Sequence, residues 1–354
     1  MTGGPAPDLL ARMPKAELHL HLDGSLRPQT ALELARERGL DDGMDLDAIA
    51  SRLRAPDHCR DQAELLQAFE LPIAVMQDGA ALERITHELV EDVAADGTHY
   101  AEIRWAPALH LARGLTMRQS IAAVVAGARS GMQAAGITVR LIAVAMRSHP
   151  PSMSVAVARE AGRFVADGLT GFDLAGPEQA FPDPLLHADA YTDARQSGLG
   201  ITLHAGEWGG AAQVWRALEL APSRIAHGTP AADDAALMDE LIARGVTLDL
   251  CPTSNVQAAI VPTLADHPLP YLARYGVPVT LSTDDRTVSG LTLITEYERA
   301  HKVLGLTTEE MWRINLRALR VAFLQHDESL RNTLLAEFDA FAAASLPSPA
   351  EEST

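Results

Sequence analysis

The sequence contains few of the residues on which several classes of protein depend. Its 354 residues include two cysteines, Cys59 and Cys251, which are too few for a disulfide-stapled scaffold or a cysteine-based zinc site. Lysine occurs at two positions, Lys15 and Lys302. No uninterrupted apolar stretch approaches ~20 residues, so no transmembrane helix is expected. The initial segment "MTGGPAPDLLARMPK" has no long apolar region, and therefore no signal peptide is predicted.

Positive charge is also in short supply. Lys+Arg number 29 against 47 Asp+Glu, which gives a formal net charge of −18. Such a surface would repel the phosphates of nucleic acids and anionic lipids. We therefore expect no nucleic-acid or membrane partner, and we predict a cytoplasmic protein that acts on a small molecule. The sequence assigns no oligomeric state.

Short β-rich runs alternate with segments whose apolar residues recur at helical spacing. Eight runs are predicted as strands: Glu17–Leu22, Tyr100–Trp105, Val139–Met146, Leu169–Leu174, Ile201–His204, Arg224–His227, Thr247–Cys251 and Pro278–Ser282. Most are short and apolar, as strands buried on both faces of a parallel sheet are. Eight alternations predict an α/β fold of the (β/α)₈ or TIM barrel type.

The longest gap between strands separates the first two. Residues 28–98 have mostly helical patterns, which predicts extra helices inserted after the first strand. We expect one domain over residues 1–354, with about 10 N-terminal and about 8 C-terminal residues frayed.

Unusual polar residues lie at the predicted C-terminal ends of the strands, where barrel enzymes carry their active sites. His19 and His21 are two apart on one strand, so both side chains point to the same face. Two buried, hydrogen-bonded histidines would explain this pair alone. With His204 and Asp284 at other strand ends, the set favours one Zn²⁺ per chain. The fourth run, "LTGFDLAGPE", has no lysine to bridge a second metal.

Other residues beside these ligands suit proton transfer. A bound zinc lowers the pKa of its water to about 7, and attack by the resulting hydroxide needs a general base and a general acid. Glu207 follows His204 by three residues and His227 ends the next strand, so one or both could move protons. A helix-start carboxylate and a satisfied core histidine are the alternatives. Asp285 follows Asp284 directly and should project differently, toward a substrate.

Seven motifs, in this order, resemble the adenosine deaminase family of the amidohydrolase superfamily: "PKAELHLHLDGS", "EIRWAPALH", "GFDLAGPE", "LHAGE", "IAHG", "CPTSN" and "STDD". The resemblance implies hydrolytic removal of the 6-amino group of an adenine ring, which releases ammonia and leaves the 6-oxo purine. The implied roles are zinc binding by His19, His21, His204 and Asp284, protonation of purine N1 by Glu207, orientation and deprotonation of the zinc water by His227, bonding of N7 by Asp285, and approach of the Gly176 N–H to N3.

The same resemblance bears on the substrate. Asp23, in "HLDG", stands where nucleoside-specific members bond the 5′ side of the ribose, which favours adenosine or 2′-deoxyadenosine. Leu65, Leu66 and Phe69 match a helix that gates the ribose pocket, although core packing would give the same spacing.

Departures from the family pattern leave alternatives open. Arg286 follows Asp285, and bacterial members with similar patterns include deaminases of aminodeoxyfutalosine, which has an aromatic carboxylate on its 5′ side. Arg286 or Arg147 could meet that carboxylate, or Arg286 could be a surface cap. Trp208 could narrow the pocket or pack beneath a loop. A zinc-dependent hydrolase of esters, lactones or amides and a non-catalytic binding protein are more distant alternatives.

Overall fold

Parallel strands dominate the interior of the computed structural model, which describes residues 7–346. The strands are β1 Lys15–His21, β2 Thr98–Trp105, β3 Thr138–Met146, β4 Leu169–Ala175, β5 Gly200–Ile201, β6 His204–Ala205, β7 Arg224–His227, β8 Thr247–Leu250 and β9 Val279–Leu281. Every neighbouring pair is parallel, in the order β1-β2-β3-β4-β5 and β6-β7-β8-β9.

The two sheets are halves of one barrel. β5 and β6 are pieces of the fifth predicted strand, interrupted at Thr202 and Leu203. The other closure joins Leu20 of β1 to Asp284, just after β9, by a parallel bridge. The prediction of a (β/α)₈ barrel is therefore confirmed.

Helices cover the outside of the barrel. Their bounds are α1 Pro7–Arg12, α2 Pro28–Arg38, α3 Leu46–Arg52, α4 Gln62–Leu66, α5 Glu70–Val75, α6 Gly79–Ala95, α7 Met117–Ala135, α8 Pro151–Ala161, α9 Ala188–Gln196, α10 Ala211–Leu218, α11 Ala235–Arg244, α12 Pro252–Gln257, α13 Leu269–Tyr275, α14 Arg286–Ser289, α15 Leu293–Lys302, α16 Thr308–Val321 and α17 Glu328–Ser345. Four of them, α2 to α5, precede α6 and are the extra helices predicted after the first strand.

Local signals define several helix boundaries. Asp78 caps α6 through a hydrogen bond that its side chain accepts from the Ala81 N–H, and Thr116 with Gln119 forms a capping box at α7. Buried faces of these helices pack on one hydrophobic core that includes Leu18 and Leu20 of β1. The alternate residues of β1 are left to face the barrel interior.

Charged side chains also fill the interior of the barrel. Arg104 Nη1 lies 3.0 Å from Asp173 Oδ2, and Arg224 Nε lies 3.1 Å from Asp249 Oδ2. Arg224 also pairs with Glu102, and all five side chains are fully buried. Because each buried charge has an opposite partner, the network is tolerated and holds facing strands together.

The described chain begins with helix α1 and ends just after helix α17. Residues 7–12 form α1 and Leu10 is buried, so the predicted frayed start does not extend to Pro7–Arg12. The rest of that expected segment, residues 1–6, and residues 347–354, which were also expected to fray, lie outside the described residues. Within residues 7–346, no helix is long and apolar enough to span a bilayer.

Candidate active site

A cavity opens at the C-terminal ends of the strands. Its lining combines polar residues from four strand ends with an apolar wall from α4 and neighbouring segments. It includes eleven of the twelve residues predicted for the site: His21, Asp23, Leu65, Leu66, Phe69, Gly176, His204, Glu207, His227, Asp284 and Asp285. The twelfth, His19, is buried directly behind His21 and Asp284.

The four predicted metal ligands converge. Their ligand atoms all lie within 4.8 Å of one another. His21 Nε2 is 3.3 Å from His19 Nε2 and 3.2 Å from His204 Nε2, while Asp284 Oδ1 is 2.9 Å from His19 Nε2. Ligand atoms that are adjacent around one zinc ion, each at ~2.0–2.2 Å from it, lie roughly 3 Å apart. The residues therefore fit a single zinc-sized ion.

The protonation of the two β1 histidines suits this role. Burial lowers the pKa of His19 well below its usual range, and burial lowers the pKa of His21 to about 3. Both rings are thus neutral at pH 7 and offer lone pairs, which metal coordination requires.

Neighbouring side chains orient the ligands. Asp173 Oδ1 is 3.2 Å from His204 Nδ1, which directs His204 Nε2 toward the other ligands, and Arg104 pairs with the same carboxylate. Ser254 Oγ donates to Asp284 Oδ2 at 2.7 Å. Asp284 itself adopts φ 65°, and its N–H and C=O bond to His19 and His21 across the barrel closure. This strained backbone places the carboxylate beside β1.

Glu207 lies on the loop after β6 with 13% of its side chain exposed. Burial raises the pKa of Glu207 to about 8, and the charge of Asp284 adds to the effect. A carboxyl group with this pKa is mostly protonated at pH 7 and can act as a proton donor.

His227 faces Glu207 across the cavity, with 3.8 Å between Nε2 and Oε1. A hydrogen-bond chain assigns its tautomer: the Leu269 N–H donates to His267, His267 Nε2 donates to Asn255 Oδ1, and Asn255 Nδ2 donates to His227 Nδ1. Burial lowers the pKa of His227. The neutral ring therefore carries its proton on Nε2, which has no partner and faces the cavity.

Two carboxyl groups present unpartnered oxygen atoms to the same cavity. Oδ1 of Asp23 and Oδ1 of Asp285 are buried without a hydrogen-bond partner in the described chain. Burial raises the pKa of Asp285 well above its usual range, and Asp284 and Asp23 raise it further. Gly24 makes room for this group, because a Cβ there would lie 1.6 Å from Asp285 Oδ1. Each oxygen can therefore form a hydrogen bond with a polar group of a ligand.

The residues predicted to gate the ribose pocket form part of the apolar wall of the cavity. Leu65 and Leu66 belong to α4 and Phe69 follows it, and all three line the cavity. Leu65 is also part of a small core cluster against which Trp208 packs. Trp208 does not line the cavity, which supports its packing beneath a loop rather than a role in narrowing the pocket.

The two arginines considered for a carboxylate are engaged elsewhere. Arg147 is 2% exposed and donates to the carbonyl oxygens of His204 and Phe181. Arg286 donates to Asp96 Oδ2 and the Asp92 carbonyl. Within residues 7–346, no lysine or arginine lines the cavity.

Several supporting residues were not predicted. Asp173, Glu178, Ser254 and Asn255 occur within "GFDLAGPE" and "CPTSN", yet sequence reasoning assigned none of them a role. Their available signal was a polar side chain at a buried strand end or just after one. Only the fold shows which site residue each one contacts.

Known proteins are similar to this chain along most of its length. A family model described as adenosine deaminase matches residues 14–340. The adenosine deaminase of Mycobacterium ulcerans is 38% identical over 349 residues, which cover 93% of this chain and 96% of that protein.

Solved structures are similar along nearly the whole chain. The adenine deaminase of Arthrobacter aurescens has a TM-score of 0.84 and 28% identity, covering 94% of this chain and 99% of that one. An amidohydrolase from Burkholderia ambifaria with bound zinc has a TM-score of 0.85 and 26% identity, covering 97% and 96%.

Proposed function

The chain belongs to the adenosine deaminase family, and we propose that it converts adenosine or 2′-deoxyadenosine to the 6-oxo nucleoside with release of ammonia. The observation that carries this proposal is the set of side chains gathered around one cavity. Four ligand-type side chains converge at one edge of the cavity, and a carboxyl group with a raised pKa and a histidine N–H face it beside them.

One Zn²⁺ per chain would be held by His19, His21, His204 and Asp284. When bound, it would activate a water as the nucleophile for C6. His227 presents its Nε2–H to the cavity, so in its neutral form it orients that water by donating a hydrogen bond. This differs in part from the role implied by the resemblance, because a neutral ring of this tautomer has no free lone pair at Nε2 with which to accept a proton.

Glu207 and Asp285 fit the acceptor nitrogens of a purine. Glu207 in its acid form donates to N1, which makes C6 more electrophilic. N7 is also an acceptor, so a carboxyl group that bonds it must be protonated, and the raised pKa of Asp285 supports that state. Ester, lactone and amide substrates offer no such pair of ring nitrogens.

The ribose side of the cavity favours a neutral sugar. Asp23 Oδ1 is an unpartnered acceptor that suits a ribose hydroxyl. No basic side chain among the described residues of the lining would pair with a phosphate or an aromatic carboxylate. Arg147 and Arg286 are already bonded within the protein. The cavity therefore supports a nucleoside over AMP and over aminodeoxyfutalosine.

An ultraviolet absorbance assay for conversion of the 6-amino to the 6-oxo purine tests the proposal. The panel contains adenosine, 2′-deoxyadenosine, adenine, AMP and aminodeoxyfutalosine, with ester and lactone substrates for comparison. We expect the highest kcat/KM for the two nucleosides. Faster turnover of aminodeoxyfutalosine would overturn the substrate assignment but keep the reaction, and activity on esters or lactones alone would overturn both.

A further inference from the structure

A buried carboxylate holds the loop that carries Glu207. Glu178 is 2% exposed. Its Oε1 accepts from the Gly206 N–H at 2.9 Å, and its Oε2 accepts from the N–H groups of Trp208 and Gly209 at 2.8 and 2.7 Å. These three donors flank Glu207 on both sides. Three main-chain N–H groups thus converge on one side chain, so Glu178 ties the main chain firmly here.

Arg147 holds the segment just before the Glu207 loop. Its Nη2 donates to the His204 carbonyl at 2.8 Å and lies 3.7 Å from Glu178 Oε1. Its Nη1 donates to the Phe181 carbonyl at 3.2 Å. Arg147 therefore binds a carbonyl before the loop while Glu178 binds N–H groups within it. Neither residue lines the cavity, so neither is placed to contact a substrate.

The loop needs such an anchor because its own sequence restrains it weakly. "HAGEWGG" places glycines at 206, 209 and 210, and glycine permits more backbone conformations than other residues. Proton donation requires the Glu207 carboxyl to lie within hydrogen-bond reach of N1. A misplacement of ~1 Å can cost ~10²-fold in rate.

We propose that Glu178, supported by Arg147, is a positioning residue that fixes the main chain around Glu207 and thereby sets the rate of proton donation. This inference rests on the proposed function. Glu178 acts through Glu207. Removing the acceptor atoms of Glu178 lowers kcat but leaves metal binding and nucleoside binding in place.

Glu178→Gln is the first test, because the amide keeps the side-chain shape but its nitrogen cannot accept an N–H. With adenosine as substrate, kcat should fall about 10- to 100-fold, while KM and zinc content stay within about threefold of wild type. Glu219→Gln, at an exposed glutamate after α10, is the matched control and should behave as wild type. If Glu178→Gln is insoluble, Glu178→Asp retracts the carboxylate by one methylene and should shift kcat in the same direction.

A double-mutant cycle separates positioning from a general structural role. In a Glu207→Gln background the proton donor is already absent, so adding Glu178→Gln should change the residual kcat by less than about twofold. Equal losses in both backgrounds would overturn the inference, as would a near-normal kcat in Glu178→Gln or a loss explained by zinc or KM.

Wild-type activity distinguishes a failure of this inference from a failure of the proposed function. If wild type converts adenosine and Glu178→Gln matches it, the inference fails and the proposed function stands. If zinc-loaded wild type converts no purine in the panel, the proposed function fails and this inference fails with it.

Discussion

Glu207→Gln tests the chemistry of the site most directly. Burial raises the pKa of Glu207 from the ordinary value of 4.5 to about 8. At pH 7 about 90% of such a group is in the acid form, against about 0.3% for an ordinary carboxyl, so the site raises the fraction of donor about 300-fold. Glutamine keeps the shape and an N–H donor but has no proton to transfer.

We therefore expect kcat of the Glu207→Gln variant to fall by at least ~10²-fold, the usual contribution of general acid catalysis. Zinc content should be retained because Glu207 is not among the metal ligands, and affinity for inosine should be retained because the glutamine carbonyl can accept the N1–H of the 6-oxo purine. A carboxylate that merely caps a helix would instead contribute ~1 kcal/mol or less to stability and leave turnover near normal. Elemental analysis, inosine titration and the absorbance assay on this variant decide between the two.

The pH profile is the second part of this test. Because the acid form is the active one and its pKa in the free protein is about 8, kcat/KM should be level between pH 6 and 7.5. Above about pH 8 it should fall tenfold per pH unit as Glu207 ionises. The variant should lose this basic limb. Near-normal kcat with zinc intact, or an unchanged basic limb in the variant, would refute the role of Glu207.

Three further predictions concern the metal, the ribose side and the close packing beside Asp285. His19→Ala and His204→Ala should each lose both turnover and the roughly one equivalent of zinc expected by elemental analysis, and full activity in metal-free protein would contradict the site. AMP should be a poor substrate because the Asp23 carboxylate repels a 5′-phosphate, Asp23→Asn should chiefly raise KM for nucleosides, and equal kcat/KM for AMP and adenosine would be inconsistent with this. Gly24→Ala should keep zinc but lower kcat/KM at least ~10-fold, since its Cβ would displace the Asp285 carboxyl, and unchanged kinetics would show that this contact is dispensable.

The sequence alone was informative about the strands and the types of residue at their ends. Seven of the eight predicted runs coincide with one observed strand each, within one or two residues at each end, because continuous burial leaves a local pattern in the sequence. The spacing of His19 and His21 likewise follows from the two-residue period of a strand. The fifth run was predicted whole, whereas Thr202 and Leu203 interrupt it in the structure.

The tertiary structure decided what these residues face. Non-glycine residues adopt the left-handed backbone uncommonly, so its presence at His227 and Asp284 does not follow from the local sequence pattern. Arg147 is 57 residues from His204 in the chain, yet its guanidinium bonds that residue's carbonyl and does not line the cavity. Glu178 reaches Gly206 of the Glu207 loop across 28 residues of sequence. Contacts of this kind depend on strand register and barrel closure, which bring distant segments together and which local periodicity does not encode.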